Sequence, residues 1–162
     1  MHSQDYYKKL RAKYTPDNIR VIFLLESPPA SGKYFYDPNG KTNELLFSAM
    51  MDHIKFKPSD KESGLNKFKE LGYVVVDSIY EPVNKIKDKK IRNKQIVMNI
   101  PNLINDLESL KSPRTKIVLI KRNINLIFNN VLDSIGYRVI NLEIPFPDVF
   151  HRKEFLNKIN QL

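Results

Sequence analysis

The 162-residue sequence contains no cysteine. Without a thiol the chain has no thiolate nucleophile, no Cys-ligated zinc and no Cys-ligated iron–sulfur cluster. Long hydrophobic runs are missing as well. The longest unbroken apolar stretch is Val21 to Leu25, far below the ~20 residues a membrane helix requires, so neither a transmembrane span nor a signal peptide is expected. Two glycine-dependent nucleotide motifs are also absent. There is no Gly-x-Gly-x-x-Gly to form a dinucleotide-binding turn. Gly32-Lys33 follows an apolar run, but the opening glycine of a phosphate-binding P-loop is missing and no Ser or Thr follows Lys33 to hold magnesium. Pro28 and Pro29 also lack the N–H groups that such a loop uses.

What is present in excess is positive charge. Against 18 acidic residues stand 27 basic ones, a formal net charge of +9, and 20 of the 27 are lysine. The excess is uneven, because residues 85 to 122 hold 11 basic and 3 acidic side chains. The excess points either to an anionic partner, DNA or another nucleic acid or a free nucleotide, or to a bland, solvated surface. With 41% hydrophobic residues, the chain is long enough for one soluble domain whose core needs no metal or disulfide. The absence of cysteine permits a reducing compartment, and a cytoplasmic, monomeric protein is the expectation.

Short aliphatic runs at Arg20–Leu25, Tyr73–Ser78, Lys116–Ile120 and Tyr137–Leu142 predict four buried strands. Helical spacing predicts helices at Gln4–Lys13, Thr42–Ile54, Leu65–Leu71, Lys89–Asn99, Pro101–Leu110 and Ile124–Ile135, with a last one around Phe155, Leu156 and Ile159. Pro101 forbids one continuous helix across its position, and Gly72 and Gly136 sit where helices should end. Strand and helix alternate, so the expected architecture is α/β, a three-layer α/β/α sandwich on a parallel sheet. Three irregular stretches, Ser27–Lys41, Ile79–Asp88 and Glu143–Phe150, each follow a strand. Ligands of open α/β sheets bind beyond the carboxyl ends of the strands, so the three loops are expected to converge on one crevice.

The first loop offers Glu26, two stiffening prolines and the rings of Tyr34, Phe35 and Tyr36, a combination suited to stacking a base or simply to covering the end of the core. The second carries Asp77 into the cluster Lys85, Lys87, Lys89, Lys90, Arg92 and Lys94, which can track phosphates or stand as a solvated helix start. The third holds Phe146 between Pro145 and Pro147 and leads to His151.

Strands running into Leu25-Glu26-Ser27-Pro28-Pro29, then Asp77-Ser78-Ile79-Tyr80-Glu81-Pro82, then Pro145-Phe146-Pro147-Asp148 resemble the ordered motifs of the uracil-DNA glycosylase superfamily across nearly the whole chain. Glu26 and Pro28 match the family's Gly-Glu-Ala-Pro-Gly form, with Leu25 in place of its first glycine. The resemblance implies a four-stranded parallel sheet of order 2-1-3-4. It also implies a DNA glycosylase that hydrolyses the N-glycosidic bond of a flipped base without metal or cofactor. Glu26 would lie beside the sugar, Phe35 or Tyr36 would stack on the base, and Asp77 would meet the base edge where many members place an Asn. An ionised Asp only accepts hydrogen bonds, which implies a base offering two donors. Phe146 replaces the family's motif histidine, and His151 would substitute for it. Ser27 stands where the best-known branches carry a water-activating Asp or Asn, and with Lys33 and the 85–94 cluster it would contact the nucleic-acid backbone. The alternative is a module of the same fold that binds nucleic acid or a nucleotide without cleaving it.

Overall fold

Five consecutive aliphatic or aromatic residues, Val21–Leu25, make strand β1, and all five are buried. A strand so apolar on both faces must be covered on both. In the computed structural model, which describes residues 2–162, its partners are β2 (Tyr73–Asp77), β3 (Lys116–Ile120) and β4 (Arg138–Ile144). The sheet has the order β2-β1-β3-β4, and every pair is parallel. Leu25 is in register with Asp77, so the ends of the first two strands lie side by side.

The fourth strand departs from expectation. It begins at Arg138, runs two residues beyond the predicted end, and is buried fully only at Ile144. As an edge strand it has one neighbour, β3, and its register slips between the Val118–Ile140 and Ile120–Ile144 pairs. The extra residues include Glu143 in the left-handed region, at φ +48°. Such a bulge re-aims the chain at the end of an edge strand.

Among the described residues seven helices connect and cover the strands: α1 (Gln4–Lys13), α2 (Leu45–His53), α3 (Lys61–Glu70), α4 (Lys89–Met98), α5 (Ile100–Leu110), α6 (Arg122–Ser134) and α7 (Arg152–Ile159). Among the described residues no helix is long and apolar enough to cross a membrane. Asn99 both ends α4 and precedes α5, and Pro101 occupies the first turn of the second helix, where its missing N–H costs nothing. Gly72 and Gly136 take φ of +78° and +93° just after α3 and α6, the left-handed conformation that closes a helix. Two helix starts differ by three residues or more from the reading of apolar spacing, and α6 starts two residues earlier than expected, at Arg122. α3 begins at Lys61 rather than Leu65, because Asp60 and Ser63 form a reciprocal capping box. α2 begins at Leu45, because Glu44 has extended backbone and commits its side chain elsewhere.

That commitment fixes the loop after β1. Lys61, fully buried, donates to Glu44 Oε2 and to the carbonyl of Tyr34, each at 2.6 Å, while Glu44 Oε1 accepts from Lys41 N–H at 2.8 Å. Gly40 passes so close that an added Cβ would collide with Glu44 Oε1 and the Lys61 ammonium. Residues 34–44 are therefore strapped to the start of α3.

Candidate active site

Beyond the carboxyl ends of the strands lies a cavity of about 830 Å³, a size usual for small-ligand sites. All three loops contribute to it. Glu26, Ser27, Lys33 and Phe35 come from the first loop, Asp77 and Asn84 from the end of β2 and its loop, and Phe146 from the third; Lys121 joins them from the end of β3. The expected convergence at the strand ends is met. Among the described residues no three His, Asp or Glu side chains gather as a metal cluster.

Glu26 is only 6% exposed, and a carboxylate so far from water needs partners. Lys121 Nζ reaches Oε1 at 2.8 Å and Asn123 Nδ2 donates to Oε2 at 2.6 Å. Arg92 Nε stands 3.7 Å from Oε2. By its place in the sequence Arg92 belongs to a cluster that can track phosphates or stand as a solvated helix start. The structure instead turns it toward Glu26 and leaves its side chain mostly covered. Lys121 itself adopts φ +86°, a conformation that costs an L residue of order 1–3 kcal/mol and that concentrates at functional sites.

Asp77, at the last position of β2, is 4% exposed and lines the same cavity. Among the described residues no donor is hydrogen-bonded to its carboxyl group; Tyr80 Oη instead meets its backbone N–H, at 3.5 Å. Burial pushes the carboxyl up to about 7, with the Arg11 guanidinium opposing and Asp106 adding to the rise. Below neutrality the carboxyl carries a proton and offers one donor beside its acceptor oxygen, whereas the ionised form only accepts.

The aromatic trio divides. Phe35 lines the cavity wall while packing edge-on against Tyr36 and Phe68, with centroids 4.9 and 5.3 Å away. Tyr36 has no exposed surface. Its hydroxyl accepts from Val75 N–H at 2.7 Å, on the open edge of β2, and its ring lies parallel to Tyr14. Tyr36 therefore has no free face for a base, and of the two stacking candidates only Phe35 borders the cavity. Half-buried Phe146 borders it too.

His151 does not line the cavity. Its side chain is 51% exposed and its Nδ1 lies 2.8 Å from Asp148 Oδ1. The same oxygen accepts from the N–H groups of Phe150 and His151, at 2.9 Å each. This turn at the start of α7 holds the imidazole beside Asp148, so His151 does not take the motif histidine's place. Ser27 lines the cavity, but its Oγ accepts from Val83 N–H at 3.2 Å. The hydroxyl joins the first loop to the second, as does Asn84 Oδ1 by accepting from Ala30 N–H. Exposed Lys33 is at the cavity wall. Lys85, Lys87, Lys89, Lys90 and Lys94 are exposed but do not line it.

Sequence reasoning missed Lys121, Asn123 and the Glu44–Lys61 pair. Lys121 was findable, being the first residue beyond β3 in a fold whose ligands lie beyond strand ends. It escapes notice because only three residues, Lys121 to Asn123, separate the predicted strand from the predicted helix. Nothing along the chain marked Lys61, a lysine in a polar stretch. No protein-family model, no curated protein and no solved structure matches this chain, so what the cavity does must be argued from its own residues.

Proposed function

We propose that the chain hydrolyses the N-glycosidic bond of a base swung out of a nucleic acid, as a divergent uracil-DNA glycosylase-like enzyme. The observation that carries the reading is the pairing of Glu26 and Asp77: two carboxyl groups in opposite surroundings line one cavity, bordered by the apolar rings of Phe35 and Phe146. Glu26 is held by cations and an amide. Asp77 is buried with no donor and carries a proton more readily than an ordinary carboxyl. Pairs whose environments diverge in this way are the usual acid and base of glycoside chemistry. Glu26 would face the positive charge that grows on the sugar as the C1′–N bond breaks, with water adding to C1′ from the open side. The sheet order β2-β1-β3-β4 and the motif order along the chain support the same fold family.

Exposed Lys85, Lys87, Lys89, Lys90 and Lys94, without ion pairs among the described residues, favour a second reading, a nucleic-acid-binding module that does not cleave. One experiment separates the two. Single- and double-stranded oligonucleotides carrying uracil, hypoxanthine, xanthine or an alkylated base are incubated with wild type and with Glu26→Gln, then cleaved with alkali at abasic sites. Hydrolysis predicts cleavage that falls about 100-fold or more in the variant. Salt-sensitive binding with no cleavage of any oligonucleotide would establish the binding module instead.

A further inference from the structure

We infer that Asp77 is the general acid of this cavity, passing its proton to the base as it departs. The inference rests on the hydrolase reading and adds to it the source of the proton. A departing base carries away the electron pair of the C1′–N bond, and protonating it in the transition state removes the charge that would otherwise resist cleavage. The wall offers three carboxyl groups: Glu26, Glu44 and Asp77. Glu26 has Lys121 and Asn123 on its two oxygens, and Glu44 has Lys61 and the Lys41 N–H on its own. Asp77 alone has neither oxygen hydrogen-bonded among the described residues. His151 is outside the cavity and paired with Asp148.

The surroundings of Asp77 keep it neutral and screened. Tyr7 and Arg11 face it from α1, Tyr34 and Tyr36 from the loop after β1, Tyr80 from the loop after β2, and Asp106 from α5. The only cation among them, Arg11, is engaged at 2.7 Å by both oxygens of Asp106 and at 2.6 Å by Tyr80 Oη. Its charge is thus largely spent on Asp106. Loss of water then dominates, and the carboxyl titrates near 7. Each turnover is balanced. The C1′–N bond breaks with its electrons on the base, the Asp77 proton moves to the base, and water oxygen bonds to C1′. The proton that water releases leaves through solvent, from which Asp77 is recharged. The products are the free base and an abasic sugar.

Because the acid form is active, excision of a neutral base should fall as pH rises through about 7. That profile is measured on wild type and needs no variant; a rate that stays flat from pH 5 to pH 9 overturns the inference. The second arm compares wild type with Asp77→Asn on two oligonucleotides, one carrying a neutral base and one an N-alkylated cationic base, which leaves without protonation. A general acid predicts about 100-fold or greater loss on the neutral base, less than tenfold loss on the cationic one, and no pH limb near neutrality in the variant. Retained release of the cationic base also shows that the variant is folded. Equal loss on both substrates would overturn the role of Asp77 while leaving the hydrolase reading intact. Release of neither base by wild type would remove both.

Discussion

Asp77 is a residue whose chemistry is set by where it is buried, and the stability of the protein should register that. In the unfolded chain an Asp titrates near pH 4; in the fold this one titrates at about 7. Between those values the native state binds the extra proton, so stability is greatest below the unfolded value and is lost as pH rises toward 7, levelling off above it. Asp77→Asn cannot titrate, and relative to wild type it should gain stability across that interval and hold the gain at higher pH. Urea unfolding of both proteins at pH 5 and pH 8 measures this directly. The same difference between them at both pH values would show that Asp77 ionises in the fold as it does unfolded. Tyr36 illustrates the converse. Its ring and hydroxyl are both consumed by structure, the hydroxyl by a β2 edge N–H.

At the scale of elements, one buried cluster ties α1 to α5 and to the loop after β2. Arg11 makes a two-pronged contact with Asp106 on α5 and donates to Tyr80 beyond β2, with both ion-pair partners almost wholly covered. Removing one member strands a charge away from water, which costs roughly 3–5 kcal/mol. Asp106→Ala should therefore lower the unfolding free energy by about that amount, and limited proteolysis should cut within Gln4–Lys13 sooner than in wild type. Unchanged stability would mean that Arg11 escapes to solvent when its partner is removed. Because Arg11 also faces Asp77, the cluster joins the attachment of a helix to the electrostatics of the cavity.

Across the whole molecule, the net charge of +9 is not spread evenly over the site. The cavity wall carries Lys33, Lys41 and Lys121, whereas Lys85, Lys87, Lys89, Lys90 and Lys94 stand outside it, on α4 and the loop before it. If the proposed nucleic-acid reading holds, these exposed lysines are the candidates for phosphate contacts. Each lysine on a duplex phosphate adds roughly 0.9 to the slope of log affinity against log salt, so converting all five to Gln should flatten the slope by up to about 4.5. Thermal stability should hardly change, since all five side chains are exposed. Fluorescence anisotropy over a salt series gives the slope, and one that does not move would place the nucleic acid elsewhere.

The strands, the break at Pro101 and the helix ends at Gly72 and Gly136 were legible along the chain because each depends on near neighbours: an unbroken apolar run, a missing N–H, a residue tolerant of positive φ. So was the end of the sheet where the cavity lies, because strand and helix alternate. The start of α3 was legible too, in the Asp60 and Ser63 spacing, but apolar periodicity concealed it. What each site residue does was not legible. Glu26 meets Lys121 across 95 positions, and Arg11 meets Asp106 across as many. Whether a ring borders a cavity, a cation is already paired or a carboxyl keeps its proton depends on desolvation and on distant partners. Those exist only once the chain has folded.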